Sequence, residues 1–135
     1  ALVRFHTRHK LLLLSHSQEH YRAMGRLVAG AKRADPQTLH AHYEAALLDA
    51  LNQIATVRNH CNTLQHIMGY FRNVLTADEK QELLGILDSY RNGNVPLIVP
   101  ITLINHYVRK YDQPYLKDQV YLHPHPAELK LRNHV

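Results

Sequence analysis

The stretch Asn59–Leu75, NHCNTLQHIMGYFRNVL, limits the folds open to this chain more than any other. Set on a helix at about 100° per residue, Leu64, Ile67, Met68, Phe71, Val74 and Leu75 fall in one arc, with His60 among them. The opposite arc holds Asn62, Gln65, His66, Gly69, Arg72 and Asn73. The split predicts a helix over 57–75 with one core face, a buried His60, and a second face of amides, imidazole and guanidinium. A glycine in a helix interior costs roughly 1 kcal/mol against alanine, so Gly69 implies a close approach. Either a second helix crosses there, cross-linked through Asn62 and His66, or a ligand does.

The flanking segments also read as helices. Leu2–Ser15 is apolar almost all round in its C-terminal half, with Arg4 and Arg8 on one flank of its N-terminal half and His6 and Lys10 on the other. Ser17 suits the N-cap of a second helix over 18–33, with Tyr21, Met24, Val28 and Ala31 facing in. Asp35-Pro36 places a cap before a proline at the first helical position. That third helix is expected to run to Ile54, burying Leu39, Tyr43, Leu47, Leu51 and Ile54. Thr76-Ala-Asp-Glu79 is a capping box, opening a helix to Arg91 with Leu83, Leu84, Leu87 and Tyr90 inward and Gly93 as its stop.

Val95–Ile104 is β-branched enough for a strand, yet no second strand exists to pair with it. As a helix from Leu97 it would bury Leu97, Ile101, Ile104, Val108 and Tyr111 beside a polar stripe of Thr102, Asn105, His106 and Arg109. A short helical turn follows over 114–120, and the proline-spaced tail from Tyr121 reads as extended. The expectation is one all-α domain, 1–135, of six or seven helices with an extended C-terminal tail.

The 135 residues suffice to bury a core, and LLLL at 11–14 is far too short to span a membrane. The absence of an initial Met suggests a piece of a longer protein. A single cysteine, Cys61, excludes an internal disulfide and any protein-only cysteine cluster, and a cytoplasmic setting fits best. The net charge of +5 is unevenly spread. Residues 1–33 carry Arg4, Arg8, Lys10, Arg22, Arg26, Lys32 and Arg33 against Glu19 alone, whereas 76–90 are acidic. A basic end of this kind points to an anionic partner, nucleic acid before membrane.

Candidate chemistry is thin. Twelve histidines invite a metal, but His16/His20, His6/His9, His40/His42 and His123/His125 match no established ligand spacing, and no metal site is expected. Cys61 and His60, as helical neighbours, point about 100° apart, which does not make a nucleophile–base pair. No glycine-rich phosphate loop or facing carboxylate pair occurs. What remains is cations that neutralise phosphates, amides and imidazoles that bond base edges, and eight tyrosines able to stack bases. Of these, Tyr21, Tyr43 and Tyr90 sit at inward positions.

Four blocks carry a family resemblance: FHTRHKLLLLSHS at 5–17, HCNTLQHIMGYF at 60–71, YRNGNVPLIVPITLINHYVRKY at 90–111 and QVYLHPHPAELKLRNH at 119–134. Together they resemble the YbgA-type domain over nearly the whole chain, and only the region around 30–58 departs from it. In many bacterial proteins that domain is fused C-terminally to a thiouracil-desulfidase-like domain bearing an iron–sulfur cluster. The resemblance implies a non-catalytic accessory module that delivers RNA, such as tRNA containing 4-thiouridine, to a desulfidase in cis or trans. The cluster would belong to that partner, with no cofactor in this chain.

The matching polar positions are Arg4, His6, Arg8, Lys10, Asn62, His66, Arg91 and His106, with Gly69 allowing approach. Charge and helical position add Arg22, Arg26, Gln65, Arg72 and Arg109 as RNA-binding candidates. Two other readings stay open. One is a small-molecule or enzyme pocket on which His6, His66 and His106 converge; the other is a protein-interaction scaffold marked by an exposed apolar patch.

Overall fold

The structure, a computed structural model, describes residues 1–126. Among these residues seven α-helices succeed one another: α1 Leu2–His16, α2 Gln18–Ala29, α3 Pro36–Leu51, α4 Val57–Met68, α5 Ala77–Arg91, α6 Ile98–Lys110 and α7 Pro114–Lys117. Three 3-10 turns lie at Ala31–Arg33, Gly69–Phe71 and Val120–Leu122. No strand occurs among the described residues, so Val95–Ile104 is settled as the entry to α6. Pro100 is the third residue of that helix, where its missing N–H had no intrahelical partner to lose. No described helix is long and apolar enough to cross a membrane.

Local chemistry sets most helix ends. Ser17 accepts the His20 N–H, Asp35 that of Thr38, and Thr56 that of Asn59. The capping box forms as expected: Glu79 N–H donates to Thr76 Oγ1 at 3.1 Å and Thr76 N–H to Glu79 Oε1 at 2.9 Å. Glu79 also accepts from Lys110 Nζ at 2.8 Å and from the Tyr111 hydroxyl, tying the start of α5 to the end of α6. At the far end of α5, Gly93 takes φ +79°. Its N–H returns to the Tyr90 carbonyl, and that of Asn94 to Ser89, which is the Schellman arrangement.

Three helices stop short of the bounds the pattern suggested. α2 ends at Ala29 and hands over to a 3-10 turn rather than continuing to 33. α3 ends at Leu51, leaving Ile54 76% exposed and Leu51 38% exposed. Its buried stripe is Leu39, Tyr43 and Ala50. Placing Ala50 against the core turns Leu51 about 100° away from it. Leu84 on α5 is likewise exposed, because Leu83, Leu87 and Tyr90 alone make the inward stripe.

The third correction concerns the central helix, which stops at Met68 instead of reaching 75. The 3-10 turn at Gly69–Phe71 keeps Phe71 in the core and brings the Tyr70 ring against α7. Gly69 has ordinary right-handed helical angles, and a Cβ placed on it would meet nothing within 4 Å. Among the described residues no helix crosses at Gly69, and Asn62 and His66 are exposed and cross-link nothing there; the glycine marks where the α-helix gives way.

The helix at the centre of the packing is α1, which touches α2, α3, α4 and the Val120–Leu122 turn. Its Leu11 and Leu14 enter the larger core with Leu64, Ile67, Leu83, Ile101 and Tyr121, while Leu13 enters a smaller one with Met24, Tyr43 and Ala50. Buried polar groups stitch these layers. His60, 1% exposed as its arc predicts, meets the Tyr121 hydroxyl at 2.7 Å. Gln119 is fully buried and bridges one turn of α1: its Oε1 accepts the Leu11 N–H at 3.2 Å and its Nε2 donates to the Thr7 carbonyl at 2.7 Å. The segment from Tyr121 was expected to be extended, but Val120–Leu122 is a 3-10 turn with Tyr121 and Leu122 buried. The remainder of that tail, 127–135, lies outside the described residues.

Candidate nucleic-acid interface

Only Ser17 separates α1 from α2, so α2 returns along α1 as a hairpin. The turn is braced by His20, which meets Ser17 Oγ at 2.7 Å through Nδ1 and Asp49 at 2.8 Å through Nε2. The five cations of the two helices line two grooves. The first, about 420 Å³, lies between α1 and α2 and is lined by His6, Lys10, Tyr21, Arg22, Gly25, Arg26 and Ala29. The second, about 320 Å³, lies between α1 and α7 and is lined by Arg4, Thr7, Arg8, Pro114, Tyr115, Asp118 and Gln119. Thr7, in the second groove, and Lys10, in the first, are one helical turn apart, so the grooves approach each other there while Arg4 and Arg8 stay on one flank of α1 and Lys10 on the other.

Three cations elsewhere are paired, Lys110 with Glu79 at 2.8 Å, Arg91 with Asp88 at 2.7 Å, and Lys117 with Asp112, whereas Lys32, Arg33, Arg58, Arg72, Lys80 and Arg109 form no ion pair among the described residues. None of Arg4, Arg8, Lys10, Arg22 and Arg26 forms an ion pair among the described residues. Among the described residues Asp118 is the one carboxylate lining either groove. A cationic surface left unpaired keeps its field for an external anion.

Tyrosines lie in and beside the grooves. Tyr21 lines the first and Tyr115 the second. Tyr70 stacks on Tyr115 with ring centroids 5.1 Å apart and planes 23° apart, and His66 meets Tyr70 edge-on at 6.1 Å. The electrostatic influence of Tyr70 reaches both Tyr21 and Tyr115. Burial, and then these neighbours, raise the Tyr21 and Tyr115 hydroxyls above the ordinary tyrosine value, so both stay neutral beside the cations.

The site residues expected from sequence divide accordingly. Arg4, Arg8, Lys10, Arg22 and Arg26 come together, and His66 joins them through Tyr70. Asn62 and Gln65 on α4, and Gly69 and Arg72 just past its end, are exposed, as the angular split required. His6 is a correction. It is 2% exposed, with Nδ1 3.0 Å from the Tyr43 hydroxyl, and burial followed by the charges of Lys10 and His9 lowers its pKa. It is a neutral core residue at the floor of the first groove. Arg91 is paired to Asp88 and lines a separate groove of about 230 Å³ with Val57, Tyr90 and Asn94. His106 and Arg109 are exposed on α6, with no partner in either groove.

His6, His66 and His106 do not converge: their rings lie against Tyr43, Tyr70 and Tyr107 respectively. Cys61 is buried at the core edge. Among the described residues no three His, Cys, Asp or Glu side chains gather as a metal site. Sequence reasoning missed Tyr70, Tyr115 and Thr7, and it assigned Tyr21 to the core although it is only half-buried. The Tyr70 signal was available, since it follows His66 by four residues; that of Tyr115 depends on how α7 folds back.

Fold and site define an all-α domain with a cationic hairpin and an aromatic cluster. The chain belongs to the family described as Protein of unknown function (DUF1722), which matches residues 10–126. It is 36% identical over 134 residues to the Uncharacterized protein YbgA of Escherichia coli (strain K12), a match covering 98% of this chain and 79% of that protein. The YbgA-type resemblance read from the four sequence blocks is thereby confirmed. No solved structure matches the chain.

Proposed function

We propose that this domain binds RNA, with tRNA containing 4-thiouridine as its cargo, and presents it to a desulfidase in cis or trans. The observation that carries the reading is the set of five cations on α1 and α2, without ion-pair partners and disposed along two grooves with tyrosines in and beside them. Phosphates occupy the grooves, while His66, Asn62 and Gln65 on α4 supply hydrogen bonds that discriminate between RNAs. Catalysis belongs to the partner. A cysteine-held iron–sulfur cluster takes about four thiolates, and the buried Cys61 is this chain's single cysteine, so this chain does not hold one.

Helices in contact lie about 8–10 Å apart, close to the Debye length of about 10 Å at 0.1 M salt, so the five charges act together. Five single-strand contacts at a slope of about −0.7 each lower affinity roughly 100-fold between 50 and 200 mM salt; three contacts lower it about 20-fold. The test is a binding titration with thiolated and unthiolated tRNA at those two salt concentrations. Arg4→Ala with Arg8→Ala is expected to weaken binding to every RNA and flatten the salt dependence by that ratio. His66→Ala is expected to keep the slope and lose discrimination. Equal binding by the double arginine variant and the parent at both salts refutes the reading.

A scaffold reading has one observation of its own, the exposed Leu48, Leu51 and Ile54 at the end of α3. It takes over if the arginine variant is silent.

A further inference from the structure

We propose that Tyr70 and Tyr115 form a platform on which one unpaired nucleobase stacks, making single-stranded rather than duplex RNA the ligand of this surface. The inference rests on the RNA-binding reading and narrows it. Its starting point is the contrast among the tyrosines. Tyr43, Tyr90, Tyr107 and Tyr121 are 4% exposed or less and fill the core. Tyr111 is committed to Glu79. Tyr70 is 39% exposed, although the 3-10 turn that carries it also carries the fully buried Phe71.

Tyr70 is not part of the core, whereas its neighbour Phe71 and Ile67 on α4 are buried in it. The ring is instead ordered by its stack on Tyr115, with a T-shaped contact to His66 beside it. Holding it so lowers the ordering cost of a third ring added to the stack. An aromatic surface of this kind accepts any base, since every base has a π-face, and it is useful only to a base that is not paired and stacked within a duplex.

The surroundings suit the strand that would bring the base. Tyr115 lines the groove of Arg4 and Arg8, and Tyr21 that of Lys10, Arg22 and Arg26, so a phosphate on either side of the stacked base meets cations. Cations tracking the backbone and rings receiving the bases are the two parts of a single-strand site. A rod-like duplex would reach the cations without placing any base on Tyr70.

The experiment measures binding of a single-stranded RNA 12-mer containing one 2-aminopurine, and of the same length of RNA duplex, by anisotropy and fluorescence at 50 and 200 mM salt. The parent is expected to prefer the single strand and to quench 2-aminopurine. Tyr70→Ala, at an exposed position, is expected to keep its helical circular dichroism, to bind the single strand about 5- to 100-fold more weakly with unchanged salt slope, and to abolish the quench. Tyr70→Phe, which retains the ring, should stay within about twofold of the parent. Parent-like affinity and quench in Tyr70→Ala overturn the inference. So does equal binding of duplex and single strand by the parent, which leaves the RNA reading standing. A parent that binds neither RNA refutes the proposed function itself, and this inference with it.

Discussion

Replacing Gln119 by Glu turns the buried bridge across α1 into a pH-dependent fault. In the parent the amide offers one acceptor to Leu11 N–H and one donor to the Thr7 carbonyl, at full burial. A protonated glutamic acid reproduces both bonds. A glutamate does not: it accepts from Leu11 but sets a second oxygen against the Thr7 carbonyl, and its charge is desolvated. Burial of this degree raises a carboxyl pKa by about 3–5 units, from about 4.3 in the unfolded chain. At about 1.4 kcal/mol per unit the loss is about 4–7 kcal/mol.

Because the folded value is the raised one, stability is intact below about pH 4.3 and is lost progressively as pH rises towards about 8. Domains of this size hold about 5–15 kcal/mol in total. Gln119→Glu is therefore expected to be folded near pH 4.5 and substantially unfolded at pH 8, by circular dichroism and urea titration against the parent at each pH. Gln119→Leu supplies the control. It removes both bonds but leaves the Thr7 carbonyl and Leu11 N–H, natural helical partners, to meet each other, for a pH-independent loss of about 1–3 kcal/mol. A Gln119→Glu deficit that is equal at pH 4.5 and pH 8 refutes the argument.

Further outcomes follow from other positions. Gly25 and Gly85 sit inside α2 and α5 with nothing within 4 Å of an added Cβ, so Gly25→Ala and Gly85→Ala should each raise stability by about 0.5–1 kcal/mol in urea titrations. Glu79 is held at a pKa of about 2, first by Lys110, then by Tyr111 and the Thr76 backbone. Its folded pKa is depressed, so its contribution is present above the usual 4.5 and lost as pH falls towards 2; Glu79→Gln should flatten the parent's acid destabilisation in that window. Ile54→Ala should shift stability by less than about 0.5 kcal/mol, against about 2–5 kcal/mol for Ile67→Ala in the core.

The helices were readable because their signals are local. A capping hydroxyl, a proline after Asp35 and a glycine after Arg91 act within four residues, and the structure uses all three. The buried side of α4 was readable for the same reason, down to His60. What escaped depends on partners distant in sequence. Nothing near His6 announces Tyr43, 37 residues away, whose hydroxyl draws the imidazole inward. Leu51, Ile54 and Leu84 match an inward period, but which residues of a helix are covered is decided by the neighbouring helix. The cationic half of the candidate site lies on one hairpin and could be assembled from spacing. Its aromatic half joins α2, the turn after α4, and α7, and required the fold.

The bridge made by Gln119 also bears on the order in which this chain can fold. Its amide reaches back 108 residues to Leu11 and 112 to Thr7, and Tyr121 reaches back 61 to His60. Such contacts close large loops and form late, since loop-closure entropy must be met before they reward it. During synthesis α4, α5 and α6 can associate while α1, the helix that both cores share, still lacks its last cover. Within this domain the cationic hairpin is thus made before the segment that seats it, and a chain ending before residue 119 lacks both the Gln119 bridge and the Tyr121 contact.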